Sequence, residues 1–227
     1  MSDEKLLKFL LWKQDVQRAA ERFRTLQKWC NENSFSQNLK LSQDKKLQKH
    51  VASNVIINDE SMITKDGCTL LVGRLRNNDM SDGRTPEDVC RMMIYVIDRA
   101  LELKSSQDNG VVVFHDLKDI SKNNVHPGIA KLILKAIIGN FPLKIRGIYI
   151  LNAPFFFKSL FAVISLVLPK KLKQRMHYVD SVEDMYEVID QELLLVEHGG
   201  KSEFDTDAWV AKQIAREESG EQNTIFN

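Results

Sequence analysis

The segment from residue 155 to residue 168 constrains the fold most, because it is a helical segment with almost no polar face. Pro154 fits the first turn of a helix, and within the segment only three residues are polar, namely Lys158, Ser159 and Ser165. A protein core, a bilayer or a hydrophobic ligand could cover such a helix. The uninterrupted apolar run is about half of the roughly 20 residues that a membrane span needs, so a span is not expected.

A basic turn follows this apolar segment directly and bears on what covers it. The turn carries four cations, Lys170, Lys171, Lys173 and Arg175. An apolar helix with a cationic rim suits a lipid with an anionic headgroup, whereas the helix alone is typical of an ordinary core. Both coverings stay open from the pattern alone.

Short β-favouring apolar runs alternate with amphipathic helical segments along the rest of the chain. Strands are predicted at residues 54–57, 68–75, 111–114, 147–151 and 176–179. Helices are predicted at residues 5–13, from 15 onward, and at 43–52, 85–103, 126–138, 155–168 and 182–189. Alternation of this kind predicts βαβ units and a largely parallel sheet.

Composition excludes several classes of protein. The formal net charge of the 227 residues is +1, so nucleic acid is not an expected partner and any anion site must be a local patch. Cys30, Cys68 and Cys90 are odd in number and widely spaced, which favours reduced thiols over a disulfide framework or a metal site. The first residues lack the pattern of a secretory signal, and a cytoplasmic protein is expected.

Several motifs resemble the CRAL-TRIO (Sec14-like) lipid-binding domain. They are the junction RGIYILNAPFFF, the apolar helix after it, and the basic K-x-x-x-R turn. The resemblance implies an α/β fold with a largely parallel sheet as floor, flanking helices and a mobile gate helix at 155–168. It also implies a helical N-terminal segment at 1–52, a lipid-binding domain at 53–212 and a flexible polar tail at 213–227.

This chain departs from the family pattern at three places. Asp116 matches the aspartate of the family's V-x-D-x-x-G signature, but Lys118 and Asp119 stand where its glycine is expected. The segment before Gly199 lacks the family's prolines. The arginine-rich N-terminal helix of the family retains one cation here, Lys13.

A set of five basic residues is the predicted headgroup site. Clustered lysines and arginines bind phosphate through charge-assisted hydrogen bonds, although spacing alone is equally consistent with a solvated edge. Resemblance to the tocopherol-transfer-protein branch implies a phosphoinositide site at Lys13, Lys144, Arg146, Lys171 and Arg175. Lys171 and Arg175 are predicted to lie one helical turn apart on one face.

A second predicted site is a lipid cavity beneath the gate helix. The same resemblance implies that its lining is apolar and consists of Ile133, Ile137, Leu143, Ile148, Phe157, Phe161, Ile164 and Leu168. An ordinary sealed core is the alternative for these residues. The glutamate that holds inositol in the Sec14 branch corresponds to Leu143, which argues against a copy of that inositol site.

The predicted function is exchange of a single lipid or lipophilic molecule at a membrane surface, with peripheral association. The alternative is a non-catalytic adaptor that binds phosphoinositide and a protein partner. Enzyme activity is not expected, because the sequence has no nucleophile elbow, Walker loop or dinucleotide motif. No cofactor other than a bound lipid and no metal site is expected, since the five histidines show no ligand spacing.

Overall fold

The apolar runs of the sequence form a sheet and its covering helices in the computed structural model, which describes residues 3–33, 38–137, 141–165, 168–221 and 225. Its strands are β1 (Ile56–Ile57), β2 (Thr69–Arg74), β3 (Val111–Asp116), β4 (Ile145–Leu151) and β5 (Met176–Val179). Its helices are α1 (Asp3–Lys13), α2 (Val16–Glu32), α3 (Lys45–Val51), α4 (Pro86–Ala100), α5 (Lys104–Asp108), α6 (Pro127–Ile137), α7 (Phe155–Ser165), α8 (Lys170–Lys173) and α9 (Thr206–Glu218).

The sheet confirms the predicted α/β class. Its order is β1-β2-β3-β4-β5, and β2 to β5 are parallel while the short β1 is antiparallel to β2. Consecutive parallel strands are joined by helical crossovers, as βαβ units require. In the register of the three central strands, Gly73 pairs with His115, and His115 pairs with Ile150.

Local signals in the sequence explain where the principal helices begin. Thr85 caps α4, because its hydroxyl accepts from the Asp88 backbone N–H while the Asp88 carboxylate accepts from the Thr85 backbone N–H at 2.8 Å. Asp15 caps α2 in the same way, with its carboxylate 2.8 Å from the Arg18 backbone nitrogen. The ring of Phe9 on α1 packs edge-to-face on Phe23 of α2 at 5.5 Å.

The two faces of the sheet carry different cores. Val111 and Val113 of β3 face the helical layer, which includes α4 and α6, whereas Val112 and Phe114 face the C-terminal segment around Met185. This alternation follows the two-residue period of a strand. A cavity between the sheet and a covering helix is therefore expected on the helical face.

Four boundaries differ from the prediction. The helix predicted at 85–103 ends earlier, at Ala100, and a separate short helix, α5, follows at Lys104–Asp108. Residues 182–187 form a 3-10 helix. Helix α9 continues through 213–218, assigned above to the tail, because Glu217 accepts hydrogen bonds from the backbone of Leu41 and Ser42. Helix α8 ends at Lys173, so Arg175 is not on its face.

Helix α7 begins where the sequence predicts and is described to Ser165, while residues 166 and 167 lie outside the described residues. Across the parts of the chain that the structure describes, no helix combines the length and the apolar character needed to span a bilayer.

Candidate functional site

A cavity of about 180 Å³ lies between α4, α6 and α7 at the carboxyl end of the parallel strands. Carboxyl ends of parallel strands are where α/β folds generally place ligands, because the chain leaves each strand there into a loop. The lining is mostly apolar and consists of Val55, Leu75, Val89, Met93, Val125, Ile129, Ile133 and Phe157, together with the polar Asn78, His115, Asn124 and His126.

Two of the eight residues predicted for the cavity line it, namely Ile133 of α6 and Phe157 of α7. The others lie elsewhere or outside the described side chains. Ile137 and Leu143 pack into the helical-face core, Ile148 packs in a small cluster beside Phe157, Phe161 contacts the Tyr178 ring edge-to-face, Leu168 is buried, and the side chain of Ile164 is not among those described.

Three of the four polar lining residues already have hydrogen-bond partners. The Asn78 amide donates to the Asn124 backbone oxygen at 2.9 Å, and the Asn124 amide donates to the Arg76 backbone oxygen at 2.9 Å. His126 accepts from the Gly128 backbone N–H through Nδ1 at 3.0 Å. These contacts tie the loop after β3 to the loop after β2 and form one wall of the cavity.

His115 is the fourth polar residue, and it has no hydrogen-bond partner among the described residues. Its Nδ1 is buried and unpaired, and burial lowers the pKa of the imidazole to about 4. The ring is therefore neutral at physiological pH and offers one donor and one acceptor nitrogen. The sequence analysis assigned His115 no role, although the period of β3 places it on the same face as Val111 and Val113.

Gly73 makes room for this ring on the neighbouring strand. A Cβ at Gly73 would lie 2.0 Å from Nδ1 of His115 and 2.5 Å from its Cε1. Such contacts cannot exist in a folded protein, so either the ring or the strand would have to move.

Gly73→Ala is expected to lower the free energy of unfolding by about 1 to 3 kcal/mol, the usual effect of overpacking a core. In a His115→Ala background the same change is expected to be neutral or stabilising, because alanine suits a strand better than glycine once the ring is gone. Urea unfolding of the two single variants and the double variant measures this coupling. Equal effects of Gly73→Ala in both backgrounds would show that the ring does not occupy this position.

The junction between β4 and α7 is held by Asn152. Its backbone has a positive φ of 56°, which asparagine tolerates better than most residues, and its amide donates to Oδ1 of Asp116 at 2.8 Å. Asp119 also has a positive φ, 59°, at the place where the family signature has a glycine. The aspartate therefore keeps a left-handed turn after β3 without the glycine.

Asp116 is the centre of a buried polar network on the opposite face of the sheet. Its Oδ2 lies 3.2 Å from Nε2 of His198 and 3.5 Å from Nη1 of Arg76. Burial alone would raise the pKa of Asp116, but hydrogen bonds from His198, Asn152 and the Lys118 backbone outweigh it and hold that pKa well below its usual range. The carboxylate is thus ionised and connects Asn152, just before α7, to His198.

Gly199 and Gly200 follow His198 and allow the chain to turn at this network. Gly199 has a φ of +76°, and a Cβ at Gly200 would lie 2.0 Å from the Leu194 backbone oxygen. Glu197 pairs with Arg74 at 2.6 Å on the same side. The left-handed backbone at Gly199 and the close approach of Leu194 at Gly200 therefore both favour glycine.

Three of the five predicted headgroup residues lie together at the amino ends of β4 and β5. Arg175 Nη1 donates to the Ile145 backbone oxygen, and Ile145 lies between Lys144 and Arg146 in the chain. Lys144 Nζ donates to the Gln107 backbone oxygen at 3.2 Å, and Arg146 Nε donates to the Asn109 backbone oxygen at 2.6 Å. Each side chain is anchored by one nitrogen, which leaves other donors of the group for a ligand.

Lys13 lies near enough to Lys171 for their charges to repel. The pKa of Lys13 is below its ordinary value, chiefly because of burial and then because of the positive charges of Arg22, Arg18 and Lys171. Its ammonium group lies 3.6 Å from the centre of the Trp12 ring, a cation–π contact.

Within the part of the chain that the structure describes, the charges of the five predicted headgroup residues are not neutralised by ion pairs. Among the described residues, no carboxylate forms an ion pair with Lys13, Lys144, Arg146, Lys171 or Arg175. They are named below as the basic cluster. The cluster lies at the amino ends of the strands and the cavity at the carboxyl ends, roughly 13 Å apart along β3 at 3.3 Å per residue.

Comparisons with known proteins agree with the fold. The family model for the CRAL/TRIO domain matches residues 61–200, which are 140 of the 227 residues. The protein named alpha-tocopherol transfer protein-like from Mus musculus is 30% identical over 134 residues, covering 56% of this chain and 39% of that protein. Phosphatidylinositol transfer protein CSR1 from Eremothecium gossypii is 25% identical over 147 residues, covering 64% of this chain and 33% of that protein.

A solved structure shares the fold. The crystal structure of Sfh5 superposes with a TM-score of 0.65 at 16% identity, covering 93% of this chain and 76% of that one. At this identity the likeness concerns the fold alone. The chain matches well under half the length of the two curated relatives, so the matched region is one part of each of those proteins.

Proposed function

The chain belongs to the CRAL/TRIO domain family, and on this premise we propose that it shelters one lipophilic molecule behind α7 and exchanges it at membranes. The relatives named above are, by their names, a tocopherol-transfer-like protein and a phosphatidylinositol transfer protein. The observation that carries the proposal is the apolar cavity whose wall includes Phe157 of α7. We place the protein in the cytoplasm, since its three free cysteines favour a reducing compartment. Exchange of a lipid at a membrane implies that it associates with membranes peripherally.

The volume of the cavity indicates that α7 must move for loading. Pockets for drug-sized ligands measure about 300 to 1,000 Å³, more than the 180 Å³ found here. Because Phe157 belongs to α7, an outward displacement of this helix enlarges the cavity directly. Helix α7 is thus the gate in this proposal, and Asn152 is its hinge.

When α7 moves outward, the apolar side chains that it exposes must contact another apolar medium. Exposing one large apolar side chain to water costs roughly 1.5 to 3 kcal/mol, and contact with the hydrocarbon of a bilayer avoids this cost. Phe155, at the first turn of α7, is already 86% exposed. The open state is therefore favoured at a membrane surface, and exchange is coupled to docking.

The basic cluster supplies the headgroup recognition in this proposal. Its cations face no carboxylate among the described residues, so a phosphorylated headgroup would provide the missing negative charge. Since the cluster and the cavity lie at opposite ends of the strands, the phosphoinositide binds at the amino ends of β4 and β5 in this proposal. The lipophilic cargo occupies the cavity. Phosphoinositide is then a signal for docking and release.

Native mass spectrometry of the purified protein tests the cargo. We expect wild type to carry one lipid-sized ligand, and we expect severalfold lower occupancy in the Ile133→Trp, Phe157→Trp variant, whose larger rings fill the cavity. Phe155→Trp is the matched control on the same helix, because that position is exposed, and its occupancy should equal that of wild type.

An empty wild-type protein that also takes up no lipid from vesicles would contradict the transfer proposal. In that outcome the adaptor function would replace it, because an adaptor needs the basic cluster and a protein partner but no stoichiometric cargo.

A further inference from the structure

The cavity contains one polar side chain whose hydrogen-bonding capacity is unused. Asn78, Asn124 and His126 make hydrogen bonds within the protein, whereas His115 has none among the described residues. A buried polar group without a partner is costly, and in native proteins it usually marks a place that water or a ligand fills. The position of this imidazole therefore bears on what the cavity binds.

The imidazole is held firmly where it can meet a ligand. It is the fifth residue of β3, paired with Gly73 on one side and Ile150 on the other. Gly73 lets the Nδ1 side of the ring lie against β2, since a Cβ there would overlap Nδ1, and Nε2, which is not among the buried unpaired atoms, is the nitrogen open to a ligand. The ring is thus a fixed feature of the cavity floor.

The surroundings restrict the chemical class of that ligand. None of the lining residues is an aspartate, glutamate, lysine or arginine, so an ionised group beside His115 would be buried without a counter-charge. A neutral imidazole has one donor and one acceptor nitrogen, and a hydroxyl group can serve either of them. A hydrocarbon would leave the ring unpaired.

We propose that Nε2 of His115 binds the hydroxyl group of a lipophilic alcohol, with the apolar part of that molecule lying against α4, α6 and Phe157. The proposal rests on the proposed function, because it requires that the cavity hold a cargo. It makes His115 a specificity-determining residue that favours alcohols over hydrocarbons of the same shape. His177, exposed on β5 and outside the lining of the cavity, is not required for this preference.

A pair of matched probes tests the preference. Phosphatidylcholine vesicles carrying radiolabelled 1-dodecanol or radiolabelled dodecane are incubated with the full chain, and protein-bound label is counted after gel filtration. The comparison is between wild type, His115→Phe, His115→Gln and the control His177→Phe. The ratio of variant to wild-type binding for each probe cancels the different partitioning of the probes into the vesicles.

For dodecanol we expect about tenfold weaker binding to His115→Phe, and for dodecane equal or tighter binding, since a hydrogen bond to a buried group contributes about that factor. His115→Gln should restore part of the alcohol preference, and His177→Phe should leave it unchanged. Addition of dodecanol should also shift the ¹⁵N resonances of the His115 ring in wild type. Circular dichroism verifies that His115→Phe is folded before these comparisons are made. The ring resonances of wild type supply the test without any variant.

Two outcomes would overturn the inference in distinguishable ways. If wild type binds both probes, but His115→Phe weakens them equally and the ring resonances do not respond to dodecanol, the cavity holds cargo and His115 does not select it. If wild type binds neither probe, the proposed function fails and the inference fails with it.

Discussion

Asp116→Ala is expected to lower the free energy of unfolding by about 3 kcal/mol, the effect typical of removing one partner from a buried charged network. The substitution leaves His198 and the Asn152 amide without their hydrogen-bond acceptor and Arg76 Nη1 without its nearby carboxylate. His198 is almost fully buried and cannot turn to water for a replacement. The loss should be measured by urea unfolding followed by circular dichroism.

The same carboxylate predicts how stability depends on pH. Because the pKa of Asp116 is lower in the folded protein than the roughly 3.9 of an unfolded aspartate, its contribution is present above that unfolded value. The contribution is lost progressively as the pH falls below it. Wild type should therefore lose stability more steeply than Asp116→Ala as the pH falls below about 4.

Asp108→Ala is the matched control for both measurements. Asp108 also pairs with a cation, Lys104, but the pair lies at the surface, where such pairs contribute at most about 1 kcal/mol. If Asp116→Ala unfolds at the same urea concentration as Asp108→Ala, the network does not stabilise the fold. Release of Asn152 should also make α7 more mobile, which faster cargo exchange would reveal.

The fold could be predicted from the sequence because its signals are local. The β-branched apolar run of β3 and the cap, proline and acidic residues at Thr85–Asp88 each lie within a few residues. Boundaries were predicted less well where tertiary contacts decide them. Glu217 extends α9 because it accepts hydrogen bonds from a loop 175 and 176 residues earlier in the chain, which no local pattern records.

The candidate site could be predicted only in part, for the same physical reason. Residues close in the chain, such as Lys144 and Arg146, could be grouped at the start of a strand. The role of His115 depends on its register with Gly73, 42 residues earlier, and the partner of Asp116 is His198, 82 residues later. Single apolar residues such as Leu143 cannot be separated from the core by sequence, because core and cavity require the same chemistry.

The basic cluster should have the largest effect on membrane binding. We expect the variant Lys144→Ala, Arg146→Ala, Lys171→Ala, Arg175→Ala to bind phosphoinositide-containing vesicles about 10³-fold more weakly than wild type. The reason is that each lysine or arginine near an anionic surface contributes about 1 kcal/mol, and a factor of ten corresponds to about 1.4 kcal/mol. Vesicle sedimentation with and without phosphoinositide measures the difference.

A control variant separates the cluster from net charge. Lys28, Lys104, Lys201 and Lys212 are exposed lysines outside the cluster, and their replacement by alanine removes the same number of charges. This variant should keep nearly all phosphoinositide-dependent binding, since its lysines already pair with carboxylates. Equal loss in both variants would mean that binding follows overall charge and that the cluster is only a solvated edge. A loss confined to the cluster variant would identify these residues as the headgroup site and connect docking to the gate. In 0.5 M salt the difference between wild type and the cluster variant should become smaller, because salt screens the attraction.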